Sequence, residues 1–124
     1  GPKCMLLNEF SASDGDIFPF RFKTYGMGKL IGKRSWGGVV GIRGTLPLLD
    51  GGTLNRPEFS RYDRDGKEWV MEGYGVDPDI VVENDPAQEY AGKDAQLDTA
   101  IELMLKEIKE KGKELAKPPV YPKK

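Results

Sequence analysis

The chain has 124 residues, with 19 basic side chains against 20 acidic ones and a formal charge of −1. That length suits one domain with one core, and the near balance of charge gives no overall field to draw it to nucleic acid or anionic lipid, so neither is expected as a partner. No apolar run approaches the roughly 20 residues of a membrane helix and the start lacks a basic-then-apolar signal, so no membrane association is expected.

The first element is the apolar run KCMLLNEF, a strand that begins almost at residue 1, and so abrupt a start reads as a fragment. Cys4, the single cysteine, has no partner for an internal disulfide and is expected as a buried strand residue. Next, Ile17, Phe18, Phe20, Phe22 and Tyr25 are spaced to line one side of a helix between about Asp14 and Tyr25, with Ser13, Asp14 or Asp16 near its start. Pro19 fits best in or near the first turn, so the regular helix is expected to begin later than Asp14.

KLIGK, GGVVGIRG, TLNRPEF, EWVMEGY and DIVVEND follow, each β-branched or aromatic and bounded by Gly, Pro, Asp or Asn, and they read as strands. Between the third and fourth, YDRDGKEW carries an Asp-Gly turn signal. It is no calcium loop, because Tyr74 stands where the bidentate glutamate belongs. GMGKLIG and WGGVVG lack the spacing of a dinucleotide fingerprint and read as tight turns and strand kinks. Trp36, Trp69 and the phenylalanines read as core or domain-contact residues. Leu97, Ala100, Ile101, Met104, Leu105 and Ile108 form one apolar stripe on an amphipathic helix. Gly112 is expected to end it, and KPPVYPKK is then a solvated, basic, proline-rich tail. Strands as apolar as CMLLN and GGVVGI need cover on both faces; with only two helices to supply it, leftover apolar surface and self-association are expected.

Chemistry concentrates in SASDGD. A strand leading through a tight turn into a helix exposes the turn residue and gathers free N–H groups at one point, where negative charge is stabilised. If Ser13 attacks a carbonyl, the Asp14 N–H is placed to bind the developing oxyanion and Gly15 lets backbone approach the substrate. The same hexapeptide is also an ordinary run of capping residues, and the residues alone leave both readings open. The chain contains no histidine, so it holds no Ser-His pair by itself.

NEFSASDGDIFPF resembles the nucleophile segment of the tricorn proteases and, more distantly, that of the carboxyl-terminal processing peptidases of the same serine peptidase family. GKLIGKRSWGGVVGI, EWVMEGYGVDPDIVVEND and DAQLDTAIELML are similar to three further motifs of that family, in its order and spacing. The resemblance implies an α/β, crotonase-like catalytic core with a nucleophile helix and a C-terminal amphipathic helix over residues 1–115, with residues 116–124 as the tail. It implies Ser13 as nucleophile, Asp14 N–H in the oxyanion hole, and Glu72 as the glutamate that orients the base through an intervening serine. Gly38 stands where the processing peptidases carry a lysine base. Lys29, Lys33 and Arg34 read as surface groups of ordinary pKa.

The function so implied is a serine endopeptidase subdomain whose histidine comes from a segment outside this chain, so the isolated chain is expected to be inactive. No cofactor or metal is expected. Expected partners are peptide substrates, upstream domains of the same protein and further copies of it, in a cytoplasmic setting. Two other readings stand beside this one: a non-catalytic binding or structural module on the same fold, and an acyl-thioester enzyme of crotonase type, which has no need of this serine.

Overall fold

Short apolar strands are stable only when paired and covered, and the chain pairs three of its strands in parallel and two as an antiparallel hairpin. The elements of the computed structural model, which describes residues 1–112, 114 and 116–122, are β1 (Cys4–Leu7), α1 (Asp14–Thr24), β2 (Lys29–Gly32), β3 (Gly41–Pro47), β4 (Thr53–Phe59), β5 (Ile80–Val81), α2 (Pro86–Tyr90) and α3 (Ala95–Lys111). β1, β2 and β5 form a parallel sheet in the order β1-β2-β5, with Cys4 opposite Lys29, Leu7 opposite Gly32, and Ile31 opposite Ile80. The result is a mixed α/β architecture.

Central strand β2 fixes the core. Leu30 packs in one cluster with Leu7, Phe22, Val39, Met71 and Val76, on the side where α1 contacts the sheet. Strand alternation turns Ile31 to the opposite face, which α3 covers, and both side chains are fully buried. Parallel sheets need this two-sided cover because both of their faces are apolar. Cys4 is half-buried rather than buried, since β1 is an edge strand whose outer side lacks a neighbour among the described residues. Burial, reinforced by the nearby Glu107 charge, raises its thiol pKa.

Several expectations are corrected. α1 begins at Asp14, with Pro19 inside the helix and fully buried. The ring removes the bond to the Gly15 carbonyl, a loss of the kind that costs about 3 kcal/mol in an exposed helix, and here packing of the ring into the core offsets it. Phe18 and Tyr25 are exposed, so the buried side of α1 is narrower than the aromatic spacing implies. EWVMEGY is not a strand: only Trp69 bridges, to Tyr62, and the backbone then turns at Met71 with φ 70. In GGVVGIRG the ladder starts at Gly41, and in DIVVEND it spans Ile80–Val81 alone, because β2 ends at Gly32. Trp36 and Trp69 are both exposed rather than core.

On α3 the half of the stripe that meets the sheet is Gln96, Ala100, Leu103 and Met104, whereas Leu97, Ile101, Leu105 and Ile108 stay exposed. The β3–β4 hairpin also carries exposed apolar residues, including Ile42, Leu48, Leu49 and Leu54. The expected apolar remainder therefore lies in two places. α2, unread in the sequence, is started by Asp85, whose carboxylate accepts the N–H groups of Ala87 and Gln88, followed by Pro86 in the first turn.

These environments set unequal costs of truncation. Leu30→Ala is expected to destabilise the fold by about 2–5 kcal/mol in chemical denaturation, and Ile101→Ala by less than about 1 kcal/mol because its side chain is already half in water. Equal losses would show that α3 buries its outer row elsewhere in the protein.

Candidate active site

The turn between β1 and α1 sorts the two serines of SAS by hydrogen bonding. Ser11 closes the turn: its N–H donates to the Asn8 carbonyl at 2.9 Å and its Oγ accepts the Asn8 N–H at 3.1 Å. Its carbonyl accepts the Trp36 N–H at 2.9 Å, so Ser11 is committed to structure. Ser13 is exposed, stands at the N-cap of α1, and makes no capping bond through its side chain. Its backbone lies at φ 53, ψ −107, in territory that non-glycine residues seldom occupy.

Three backbone donors at this helix start are engaged. Gly15 N–H donates to the Ala12 carbonyl, and the Asp16 and Ile17 N–H groups both donate to the Ser13 carbonyl. Among the described residues Asp14 N–H meets no acceptor. It points out of the positive end of α1, where an anion is stabilised by the helix dipole and the unbonded N–H together. Gly15 is half-buried and lies outside the lining of the cleft described next; a Cβ there would sit 3.2 Å from that of Ser11.

The opposite wall is the segment Ser35–Val40, which lies in no strand and is fastened from several directions. Ser35 N–H donates to the Val76 carbonyl at 3.1 Å and Ser35 Oγ accepts the Val76 N–H at 2.8 Å. Gly37 N–H donates to Asp16 Oδ1 at 2.8 Å, while the Gly37 carbonyl accepts the Gly73 N–H at 2.8 Å. Val39 N–H donates to Glu72 Oε2 at 2.7 Å, and the Val39 carbonyl accepts from Arg61 Nη1 at 2.9 Å. Gly37 has to be glycine: its φ is 86, and a Cβ would stand 2.6 Å from the Gly75 nitrogen.

Ser13, Trp36, Gly37, Gly38, Val40, Ile42, Glu72 and Gly73 line one open cleft of about 500 Å³. The structure thus brings Ser13 and Glu72 to one cavity, with the Trp36 ring lying over Gly38. Glu72 sits on a turn rather than a strand end, just after Met71, whose φ of 70 aims the carboxylate back at Val39. Lys33 is no candidate base: it bridges Glu83 at 2.7 Å and Glu9 at 3.0 Å, and those partners raise its pKa. Lys29 is exposed. Among the described residues no group of three or more His, Cys, Asp or Glu forms a metal-binding set, and no helix is long and apolar enough to cross a membrane.

Residues 1–82, which hold this whole cleft, match the family model for peptidase family S41. The chain belongs to peptidase family S41. It is 48% identical over 114 residues to the tricorn protease of Thermoplasma acidophilum, an alignment covering 92% of this chain and 11% of that protein. With the tricorn protease homolog of Saccharolobus solfataricus the identity is 52% over 103 residues, or 83% of this chain and 10% of that protein. A carboxy-terminal-processing protease of Bartonella bacilliformis is 30% identical over 96 residues, covering 77% of this chain and 21% of its own. The crystal structure of the tricorn protease superposes with a TM-score of 0.81 at 48% identity, over 88% of this chain and 11% of that one. The chain thus spans about a tenth of the length of the tricorn relatives it matches. The S41 match ends at Val82, before α2 and α3.

The parts that three residues play at the cleft wall escaped the sequence reading. Asp16 was read only as a residue near the start of α1; Trp36, which lines the cleft, was read as core or domain contact; nothing in the sequence marked Arg61, which reaches Val39 from beyond the hairpin.

Past Glu72, a further cluster braces the turn. Tyr74 OH donates to Asp77 Oδ2 at 2.6 Å, Arg34 Nε donates to Asp77 Oδ1 at 2.7 Å, and the guanidinium lies 4.2 Å from the Tyr74 ring centroid. The Tyr74 hydrogen bond, then that of Arg34, lowers the Asp77 pKa below its ordinary 3.8. A carboxylate with a depressed folded-state pKa stabilises the fold above its unfolded value, and this contribution disappears as pH falls through the folded value. Wild type is therefore expected to exceed Asp77→Asn in stability at pH 7 by at most about 1 kcal/mol, since the pair is partly exposed and screened. The two should converge below pH 3.8. A gap that persists or widens in acid would show that the Asp77 charge is not what braces the turn.

Proposed function

We propose that residues 1–115 are the carboxyl-terminal part of the catalytic domain of a tricorn-like serine endopeptidase, on a crotonase-type core, with residues 116–124 as a basic tail. One observation carries the reading. Among the described residues the non-glycine positions with positive φ are Ser13 and Met71, the candidate nucleophile and the residue next to Glu72. Such backbone costs of order 1–3 kcal/mol at each position and persists where the surroundings over-determine it, which is typical of active sites. Here both strained residues serve the same cleft.

In the mechanism we propose, a histidine from another segment of the full-length protein takes the Ser13 hydroxyl proton as Oγ bonds to the scissile carbonyl carbon. The carbonyl π electrons move to oxygen, where Asp14 N–H and a second donor from outside this chain hold the charge. Collapse of this intermediate breaks the C–N bond, and the imidazolium gives its proton to the departing amine. Water then attacks the acyl-enzyme with the same base and restores Ser13. Glu72, held by Val39 N–H, orients the base through an intervening serine. Gly38 under the Trp36 ring excludes a Ser-Lys pair at that position, in keeping with the absence of histidine from a chain that is a small part of its relatives. Peptides are the substrates, and the reading carries with it the upstream domains as partner, a homo-oligomer and a cytoplasmic setting.

Because the base lies elsewhere, the isolated chain is expected to show no turnover of peptide substrates. In the full-length enzyme Ser13→Ala should lower kcat by about 10⁴-fold or more, and Glu72→Gln by about 10²–10⁴-fold. Full-length enzyme that keeps its turnover as Ser13→Ala would overturn the assignment in favour of another nucleophile, whereas full-length wild type with no peptide turnover would favour a binding module on the same fold. Ser13-dependent cleavage by the isolated chain would instead require a base among its own lysines.

A further inference from the structure

Asp16 is the most costly side chain in the neighbourhood of Ser13 and has no place in the mechanism above. It is 0% exposed; Oδ1 accepts the Gly37 N–H at 2.8 Å, and Oδ2 is buried with no partner among the described residues. A carboxylate in this condition weighs against folding, because desolvation is only half compensated. Its position makes the condition harder to explain by local stability. Standing three residues after an N-cap serine, Asp16 has the spacing of a capping box, in which an acid turns back to the N-cap N–H while the serine caps the third residue. Neither half of that box forms: Ser13 makes no side-chain cap, and the Asp16 carboxylate is turned inward to Gly37.

We infer that Asp16 is a positioning residue of the Ser13 reaction, setting the separation between the nucleophile turn and the opposite wall of the cleft. This rests on the reading of Ser13 as nucleophile. Asp16 rises from the first turn of α1, and Gly37, which it holds, passes its carbonyl to the N–H of Gly73 beside Glu72. Those bonds form a continuous path from the Ser13 turn to the Glu72 turn. Ser13, Gly37, Glu72 and Gly73 all line the same cleft, so a shift at Gly37 is a shift of the wall against which substrate lies. The Asp16 N–H, which a capping serine would accept through its hydroxyl, donates instead to the Ser13 carbonyl at 2.9 Å, so the Ser13 hydroxyl is in no capping bond.

The test uses the full-length enzyme with Asp16→Asn, which keeps an acceptor for Gly37 N–H, and Asp16→Ala and Asp16→Leu, which do not. Functional sites are counted by titration with a fluorophosphonate, and turnover is expressed per titrated site. Asp16→Asn should stay within about fivefold of wild type, while Asp16→Ala should lose about 100-fold in kcat per site with its titre intact and KM less affected, the scale expected of an ångström of misplacement. Asp16→Leu, which fills the volume, gives the same reading if the alanine variant does not fold. Full turnover per site in the alanine or leucine variant, with only the titre reduced, makes Asp16 merely structural and overturns the inference alone; so does an asparagine variant as slow as alanine. Activity that survives Ser13→Ala overturns the nucleophile reading and this inference with it.

Discussion

The cleft depends on a stretch of backbone, Ser35 to Val39, that belongs to no sheet. The hydrogen bonds fastening it come from five parts of the chain: Ser11 before α1, Asp16 within α1, Arg61 after β4, Glu72 and Gly73 in the turn, and Val76 ahead of β5. A typical bond of this kind contributes about 1 kcal/mol net, so no one of them holds the segment alone. Together they convert the positions of five sequence regions into the position of one cleft wall. The strained backbone at Ser13 and Met71 is held by the same contacts, since Ser11 and Asp16 grip the wall on either side of Ser13, and Glu72 follows Met71.

Beyond that wall, apolar side chains face outward. α3 presents Leu97, Ile101, Leu105 and Ile108 outward, β4 is exposed along its length, and Ile42, Leu46 and Leu54 of the hairpin are exposed. A two-stranded hairpin with exposed apolar residues is marginal alone in water. Such surface accords with a chain that aligns to about a tenth of its tricorn relatives. Ser13 and Glu72 face this cleft in a chain that contains no histidine.

Much of this was legible in the sequence where local chemistry decides local structure. TLNRPEF is β4 residue for residue, KLIGK contains β2, and the Asp-Gly of YDRDGKEW makes its turn, with Asp63 Oδ1 accepting the Lys67 and Glu68 N–H groups. The place of Ser13 between strand and helix followed from apolar patterning on either side of a turn-forming hexapeptide. EWVMEGY failed because β propensity measures fit to a pleated surface, whereas the path of these residues is set by Gly73 and Gly75 at positive φ and by the distant Glu72–Val39 bond. The α3 stripe was read as one face when it is two rows, of which the sheet covers only one. Asp16 looked like a capping acid, since nothing local reveals that Gly37, far along the chain, would claim it.

Central to this account is that Ser13, and not Ser11 or Ser35, is the residue that becomes acylated. The most direct measurement is peptide mapping by mass spectrometry of the active full-length enzyme after inactivation by a peptidyl diphenyl phosphonate. The account predicts a single adduct on Ser13. An adduct on Ser11 or Ser35, or complete inactivation with Ser13 unmodified, would contradict it.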